Sequence, residues 1–446
     1  MVRNFNYIKN EVVNSNLCSR CGACVGICPK QVITFKSNVN YEPTWSSEEG
    51  CINCGLCIDV CPAKGYSLQA DNKNINDISG NLGRFIDVYE GKALDNYINS
   101  NATSGGIVTA VLIYLLKCKE VEKVVVVENT EDSKDGYAKV TVTSNIETIL
   151  NSMQSKYIQL PVGKVINEIR NKKENIAIVG LPCQLAAIDK ASQKLPVIKS
   201  RIKFKIGLFC GFTYTQDSVE DMLKIMEVKE INLKRIVGWR NGGLPGNFTV
   251  ELNDGTIKAL PFIKEHSINV TFNALNRCGL CKDCFAEYAD ISLGDIGGWR
   301  SKETLIVSRT DKAEQILAEM VKNNLIRIKS IRDSKYLKKT VIPFMIKEKI
   351  IKTQIRNKYL KSKNITNVEW EYRKGTISKI LKIESLLLYR LSLLLRNSKV
   401  KRKIFKNKYM AIVVGELIYY RLSKNILVRA MKKLEKKFLK DEDVLL

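Results

Sequence analysis

Two stretches of this chain repeat one cysteine pattern, Cys18-Ser-Arg-Cys21-Gly-Ala-Cys24-Val-Gly-Ile-Cys28-Pro and Cys51-Ile-Asn-Cys54-Gly-Leu-Cys57-Ile-Asp-Val-Cys61-Pro. Each reads Cys-x2-Cys-x2-Cys-x3-Cys-Pro, the spacing that holds iron–sulfur clusters in pairs. Three thiolates on a tight loop take three corners of one cube, and the fourth lies too far along and ligates the other cluster. The pattern predicts one 4Fe-4S cluster on Cys18, Cys21, Cys24 and Cys61, and a second on Cys51, Cys54, Cys57 and Cys28. Gly22 and Gly55 suit the sharp turn that the backbone makes around each cube. A lone Cys-x2-Cys pair often marks structural zinc, but eight cysteines in duplicated spacing favour clusters. A disulfide framework fits less well, because the sulfurs are spaced for a metal and no secretory signal is expected at the polar N-terminus.

The chain has 446 residues, 45% hydrophobic and 26% charged, as expected of a globular protein with a sizeable core. No apolar run reaches the roughly 18 residues of a membrane span. Fourteen cysteines suit a reducing cytoplasm, so a cytoplasmic protein is expected. The net charge of +26 is unevenly placed: residues 331–446 hold 31 Lys and Arg against 10 Asp and Glu, a net +21. The remaining +5 leaves the body close to neutral, so the basic balance is no argument for nucleic-acid binding by the whole protein. There is no Gly-x-Gly-x-x-Gly after a strand and no P-loop. With one histidine, chemistry built on His bases or triads is not expected, and redox work through cofactors remains.

Taken in order, the chain predicts a multidomain α+β or α/β protein. A ferredoxin-like two-cluster module covers 1–75 and ends in the polar linker Asp71–Asp77. A mixed α/β body covers 80–330, and a basic helical extension covers 331–446. In the body, Ser104-Gly105-Gly106 opens a buried helix, with Thr103 or Ser104 available as N-cap. A glycine pair there lets a ligand approach unpaired N–H groups, as a flavin phosphate or ring edge would; a flexible turn plus a cap is the alternative. Val124–Val127 reads as a buried strand and Tyr137–Thr143 as a half-exposed one, followed by an amphipathic helix near 162–172. Ile176–Gly180 is a buried strand leading to a helix with Pro182 at N1. That puts Cys183 in the first turn, where the helix dipole favours a thiolate and a ligand or redox role. Phe204–Phe209 is another strand, and Cys118 reads as a small buried hydrophobe.

Cys278-Gly-Leu-Cys281-Lys-Asp-Cys284 repeats the three-cysteine start without a fourth cysteine or a proline. A third cluster there needs a distant partner, for which Cys183 and Cys210 are the candidates. Zinc on three cysteines and His266 is the competing reading. Ala289–Gly298 reads as a strand entering a glycine turn with Asp295 at its mouth, either a solvated turn residue or a cofactor-facing one.

These pieces together resemble the coenzyme F420 hydrogenase/dehydrogenase beta-subunit family, in the form with an N-terminal two-cluster ferredoxin module. The resemblance rests on the paired cysteine loops, Asn101-Ala-Thr-Ser-Gly-Gly106, Ser155-Lys-Tyr157, Gly180-Leu-Pro-Cys-Gln184, Cys278-x2-Cys281 and Ala289-Asp-Ile-Ser-Leu-Gly-Asp295, in family order over roughly 15–300. It implies a flavin, usually FAD, exchanging electrons with iron–sulfur clusters. It places Thr103, Ser104, Gly105, Gly106 and Lys156 at the flavin and Cys183 in cluster or redox duty; Asp295 is grouped with the cofactor contacts. The implied partners are a redox protein or ferredoxin and coenzyme F420 or another two-electron substrate. A reductase of surface-polysaccharide synthesis not using F420, and an electron-relay subunit with no substrate site, are the alternatives.

The extension departs most from a minimal member. Residues 377–396 are apolar and helix-forming, 399–408 basic, 409–420 apolar around Glu416, and 421–440 basic and amphipathic. A helical docking arm and a surface helix on an anionic membrane are both expected of such a pattern; RNA binding is disfavoured, since no recognition module accompanies the charge. The membrane reading would place the protein peripherally at the inner face.

Overall fold

The computed structural model describes residues 3–65, 82–130, 136–243, 245–296, 302–334, 337, 391, 393–396 and 398–423. The expected linker at 71–77, the glycine turn after Asp295, most of 377–396 and most of 421–440 lie outside the described residues.

The N-terminal module is built from short pieces: α1 (Phe5–Ile8), α2 (Ala23–Ile27), the hairpin β1 (Ile33–Phe35) and β2 (Pro43–Trp45), and α3 (Leu56–Asp59). So short a module has little room for a core of its own. Its apolar residues Phe5, Ile27 and Ile58 instead continue into one cluster with Ile166, Leu185 and Ile188 of the body. The joint is tight. Gly163 N–H donates to Cys21 O at 2.7 Å, and a Cβ on Gly26 would lie 2.4 Å from Gly163 O.

An eight-stranded sheet runs through the body in the order β13-β3-β12-β11-β7-β6-β4-β5. Its strands are β3 (Asp87–Ala93), β4 (Lys123–Asn129), β5 (Ala138–Thr143), β6 (Ile176–Gly180), β7 (Ile202–Leu208), β11 (Ile291–Asp295), β12 (Thr304–Ser308) and β13 (Ile326–Ser330). The central strands β11, β7, β6 and β4 are parallel, while β5 on one side and β12, β3 and β13 on the other pair antiparallel. Runs such as Val124–Val126 and Ile176–Ile178 are buried, as both-face-covered parallel strands require.

The helices between strands are α4 (Asn96–Asn101), α5 (Ile107–Lys117), α6 (Ile146–Asn151), α7 (Ile166–Asn171), α8 (Pro182–Lys194), α9 (Pro196–Arg201), α10 (Asp217–Ile225) and α12 (Asp311–Lys322). The helix expected near 162–172 begins as a 3-10 turn, Val162–Val165, before α7. Pro182 starts α8 as expected, and Gln184 Oε1 reaches back to accept Leu181 N–H at 2.7 Å. Cys118 is exposed at the end of α5, a correction to the buried reading: the helix stops there and turns it outward.

A second sheet is not legible in the sequence. Strands β8 (Leu233–Asn241), β9 (Asn247–Leu252) and β10 (Ile257–Pro261) form an antiparallel meander that feeds α11 (Phe262–Phe272). The extension then returns as α13 (Ser398–Ile404) and α14 (Lys408–Ser423). α14 lies against α11, so closely that a Cβ on Gly415 would sit 3.2 Å from Ile268 Cα. Ile418 and Leu395 enter the core with Trp239, Phe248 and Phe272. Among the described residues no helix is long and apolar enough to cross a membrane.

Candidate functional site

The two cysteine loops follow the same backbone path. Arg20 and Asn53, at equivalent positions, are left-handed (φ 52° and 55°), and Gly22 and Gly55 follow with φ 82° and 73°. Each loop then turns directly into a short helix, α2 or α3, which carries the fourth cysteine away from the first three. The structure brings Cys28 of the first loop into one cavity with Cys51, Cys54 and Cys57 of the second. Burial, and after it the nearness of Cys54, Cys28 and Cys51, pushes the Cys57 thiol up to about 12. Burial likewise pushes Cys18 up to about 12, with Cys61 and Cys21 adding to it, and Cys21 up to about 11, with Cys61 adding. Cys24 is raised well above its ordinary value by burial and by Cys21, Cys18, Cys61 and Cys57. The thiols thus stand in two neighbouring sets, each drawing one member from the other loop. Crowded thiols that oppose each other's ionisation are a donor set for a cationic centre, and the residues present fit iron–sulfur clusters.

A third group lies at the carboxyl ends of the parallel strands, where α/β sheets place their ligands. Cys183 is the second residue of α8, just beyond β6; Cys210 lies two residues beyond β7; Asp295 ends β11. Cys183 stands close enough to Cys21, Cys281 and Cys278 for all three to raise it, behind burial as the largest cause. Burial and the three neighbouring thiols thus work against the helix dipole expected to favour a thiolate there. Cys278 Sγ lies 3.9 Å from Thr213 O, and Cys281 Sγ 3.2 Å from Asp283 O. Cys284 is tied to Cys210 by a main-chain hydrogen bond, Cys210 N–H to Cys284 O at 3.0 Å. His266 is held on α11 by Tyr214, whose hydroxyl is 2.6 Å from its Nδ1. Among the described residues no three His, Cys, Asp or Glu side chains converge as one metal ion requires.

The glycine pair behaves differently from its expected cap. Gly106 itself is the N-cap of α5, with φ 77° and no side-chain capping bond. Thr103 and Ser104 are not N-caps, because their hydroxyls are taken up elsewhere. Thr103 Oγ1 accepts Ser155 N–H at 3.2 Å, and Ser104 Oγ lies 3.1 Å from Thr304 Oγ1, which also accepts Gly105 N–H at 2.9 Å. The first turn of α5 therefore has no side-chain cap, while Gly105 N–H is paired with Thr304 and a Cβ on Gly105 would lie 2.4 Å from Gly91 O. Lys156 is drawn down to about 7 by burial. Its ammonium donates to Ser152 O and Met153 O at 2.6 Å and to Gln154 O at 3.2 Å, closing the end of α6.

Arg240 of β8 completes the surroundings of Asp295. Its Nη1 donates to Asp295 Oδ2 at 2.6 Å and to Tyr157 Oη at 3.2 Å. The sequence signal that could have found it is Asn241-Gly-Gly, a turn that marks the end of β8.

Residues 88–167 match the family model for the N-terminal part of the coenzyme F420 hydrogenase/dehydrogenase beta subunit, and 173–334 match that for its C terminus. Residues 17–65 match a 4Fe-4S dicluster domain. The coenzyme F420 hydrogenase subunit beta of Methanococcus voltae is 30% identical over 260 residues, 57% of this chain and 88% of the relative. An F(420)H(2) dehydrogenase component of Methanosarcina mazei is 26% identical over 71% of this chain and 85% of its own length. The coenzyme F420-dependent sulfite reductase of Methanocaldococcus jannaschii is 26% identical over 74% of this chain, which spans only 50% of that protein. A chain of the F420-reducing [NiFe] hydrogenase complex from Methanosarcina barkeri shares the fold, with a TM-score of 0.51 and 21% identity over 63% of this chain and 92% of that one.

Proposed function

We infer, since this chain belongs to the coenzyme F420 hydrogenase/dehydrogenase beta-subunit family, that it is an iron–sulfur flavin oxidoreductase subunit whose two-electron substrate is coenzyme F420 or a related carrier. The observation that carries this reading is the position of Cys183, within electrostatic reach of Cys21 in the module and of Cys278 and Cys281 in the body. Three groups of thiols then follow one another from the exposed Cys54 to the carboxyl edge of the sheet. Cys18, Cys21, Cys24 and Cys61 would hold one cluster and Cys28, Cys51, Cys54 and Cys57 another. Cys183, Cys278 and Cys281, with Cys284 or Cys210, would hold a third. When bound, the clusters would supply one-electron carriers and a flavin such as FAD would join them to two-electron chemistry.

The chain's own part is to hold these groups in a fixed file. The Gly163–Cys21 hydrogen bond and the glycine contact at Gly26 clamp module to body, and the shared apolar core keeps water from the joint. The start of α5, which has no side-chain cap, would face the flavin phosphate. Cys54 offers the edge at which a ferredoxin or other redox protein would approach.

Anaerobic reconstitution tests the reading. About eight iron and eight sulfide are expected from the module and about four of each from the body, with flavin released on heating. Reduced ferredoxin should then drive reduction of F420. Metallated protein with no flavin, or flavin that exchanges electrons with neither partner, would overturn it.

A further inference from the structure

Two buried polar atoms near Asp295 have no partner among the described residues: Nη2 of Arg240 and Oε2 of Glu265. Both side chains are well inside, Arg240 with 4% and Glu265 with 1% of its surface exposed. Buried polar groups nearly always find partners, so two orphans within electrostatic reach of each other point to something that completes them.

The rest of each side chain is fixed. Arg240 donates from Nε to Pro245 O at 2.9 Å and from Nη1 to Asp295 and Tyr157, and its guanidinium lies 4.8 Å over the Phe262 ring. Phe262 and Glu265 are one turn apart on α11, and Glu265 Oε1 accepts from Asn269 Nδ2 at 2.6 Å. Burial raises Glu265 to about 8, which favours the protonated carboxyl at neutral pH. The pair therefore offers two donors: a guanidinium N–H already neutralised by Asp295, and a carboxylic O–H. Around them stand the rings of Tyr157, Phe262 and His266, with Phe262 and His266 stacked at 5.2 Å. Two donors beside aromatic walls suit an acceptor oxygen on a planar group.

These residues connect to the helix start already described. Asp295 pairs across the sheet with Thr304, whose hydroxyl accepts from Gly105. Thr103 holds Ser155, two residues before Tyr157. Contacts and short stretches of chain thus connect Thr103, Tyr157, Arg240, Asp295, Thr304 and Gly105.

We propose that Arg240, backed by Glu265, binds an acceptor oxygen, a ring carbonyl or carboxylate, of a planar redox ligand that would bind beside these residues. The proposal deepens the function inferred above and rests on it for the ligand's redox role. The oxygen could belong to the flavin or to the two-electron substrate.

The test compares full-length wild type, Arg240→Gln, Arg240→Lys and Glu265→Gln, each reconstituted. Three quantities are read: flavin retained per chain, F420 affinity by fluorescence quenching, and binding of lumichrome and benzoate as bare ring-carbonyl and planar-carboxylate probes. Losing one charge-assisted hydrogen bond should weaken the anchored ligand about ten- to hundredfold in Arg240→Gln. Arg240→Lys should recover part of this, and Glu265→Gln, which keeps a donor and its Asn269 bond, should stay within about threefold. Weakened flavin retention names the flavin as the ligand, and weakened F420 affinity names the substrate. An Arg240→Gln protein that melts lower but binds all four ligands like wild type overturns the proposal, leaving a structural guanidinium with an ordered water only. If wild type binds neither flavin nor F420 but takes up lumichrome or benzoate through Arg240, the function falls and the anchor stands. If it binds none of the four, both fall.

Discussion

Lys401 of the extension is the place to perturb the joint between tail and body. Its ammonium meets Asp221 Oδ2 at 2.6 Å and Asn273 Oδ1 at 2.6 Å. From there a ladder of side chains runs along one face of α11: Asn273 donates to Asn269 Oδ1 at 2.9 Å, and Asn269 donates to Glu265. Lys401 and Asp221 keep only 14% and 5% of their side-chain surfaces exposed. Removing one partner of such a buried pair costs about 3–5 kcal/mol. Asp221 would retain Asn273 Nδ2 at 3.0 Å and the outer Lys224 at 3.8 Å. That compensation lowers the expected cost of Lys401→Met to about 2–3 kcal/mol. Methionine has a chain of similar length without the charge, so the loss is mainly electrostatic and includes the ammonium's place 5.8 Å over the Phe405 ring. Local opening is the right assay for a chain of this size. Amide exchange in α13 and α14 should accelerate about 30- to 150-fold, and Lys401→Met with Asp221→Asn should recover much of the protection. Unchanged exchange in the single variant, or a double variant no better protected than the single, would refute the reasoning.

Three further outcomes follow from particular contacts. Gly26→Ala would drive its Cβ against Gly163 O, a backbone atom that cannot swing aside; a loss of about 1–3 kcal/mol and faster proteolysis of the module are expected, and a variant as resistant as wild type would contradict the shared core. Glu265 has its carboxyl raised from 4.5 to about 8, so the native state keeps a proton that the unfolded state has released, and stability should fall as pH rises from about 4.5 to about 8. Glu265→Gln removes that dependence, so melting measured from pH 5 to 8 should swing in the variant's favour; a constant gap would count against it. Because 398–423 pack into the body, the membrane reading of the basic extension is best tested by cutting after residue 423. Full-length protein should sediment with anionic vesicles in low salt and the shortened form less so, and equal, salt-insensitive recovery would rule membrane binding out.

What the sequence makes legible is local. The cysteine spacing, the Val-rich run of β4 and the Gly-Leu-Pro turn into α8 each carry their signal within a few residues, and the structure forms strand and helix there. The module's dependence on the body is hidden, because Ile27 and Ile58 give no sign of which distant residues cover them. β8 escapes a sequence reading for a related reason. Its pairing with β9 shifts register three times, so its apolar residues do not alternate cleanly, and Arg240 gains meaning only when Asp295 arrives from 55 residues away. The caps fail more simply. Thr103 and Ser104 have the right chemistry for an N-cap, but Ser155 and Thr304 claim their hydroxyls. Cys183 is legible in part: its helix position and its partnership with the Cys278–Cys281 group can be read from sequence, and its neighbour Cys21 cannot.

The most direct test of the central claim groups cysteines by the cluster they share. Cys51→Ser, Cys28→Ser, Cys18→Ser and Cys61→Ser proteins are reconstituted anaerobically and titrated with reductant under electron paramagnetic resonance. Cys28→Ser is expected to lose the same signal as Cys51→Ser, and Cys61→Ser the same signal as Cys18→Ser. Loss of the Cys18 signal in Cys28→Ser, or zinc with no acid-labile sulfide in the wild type, would contradict the claim.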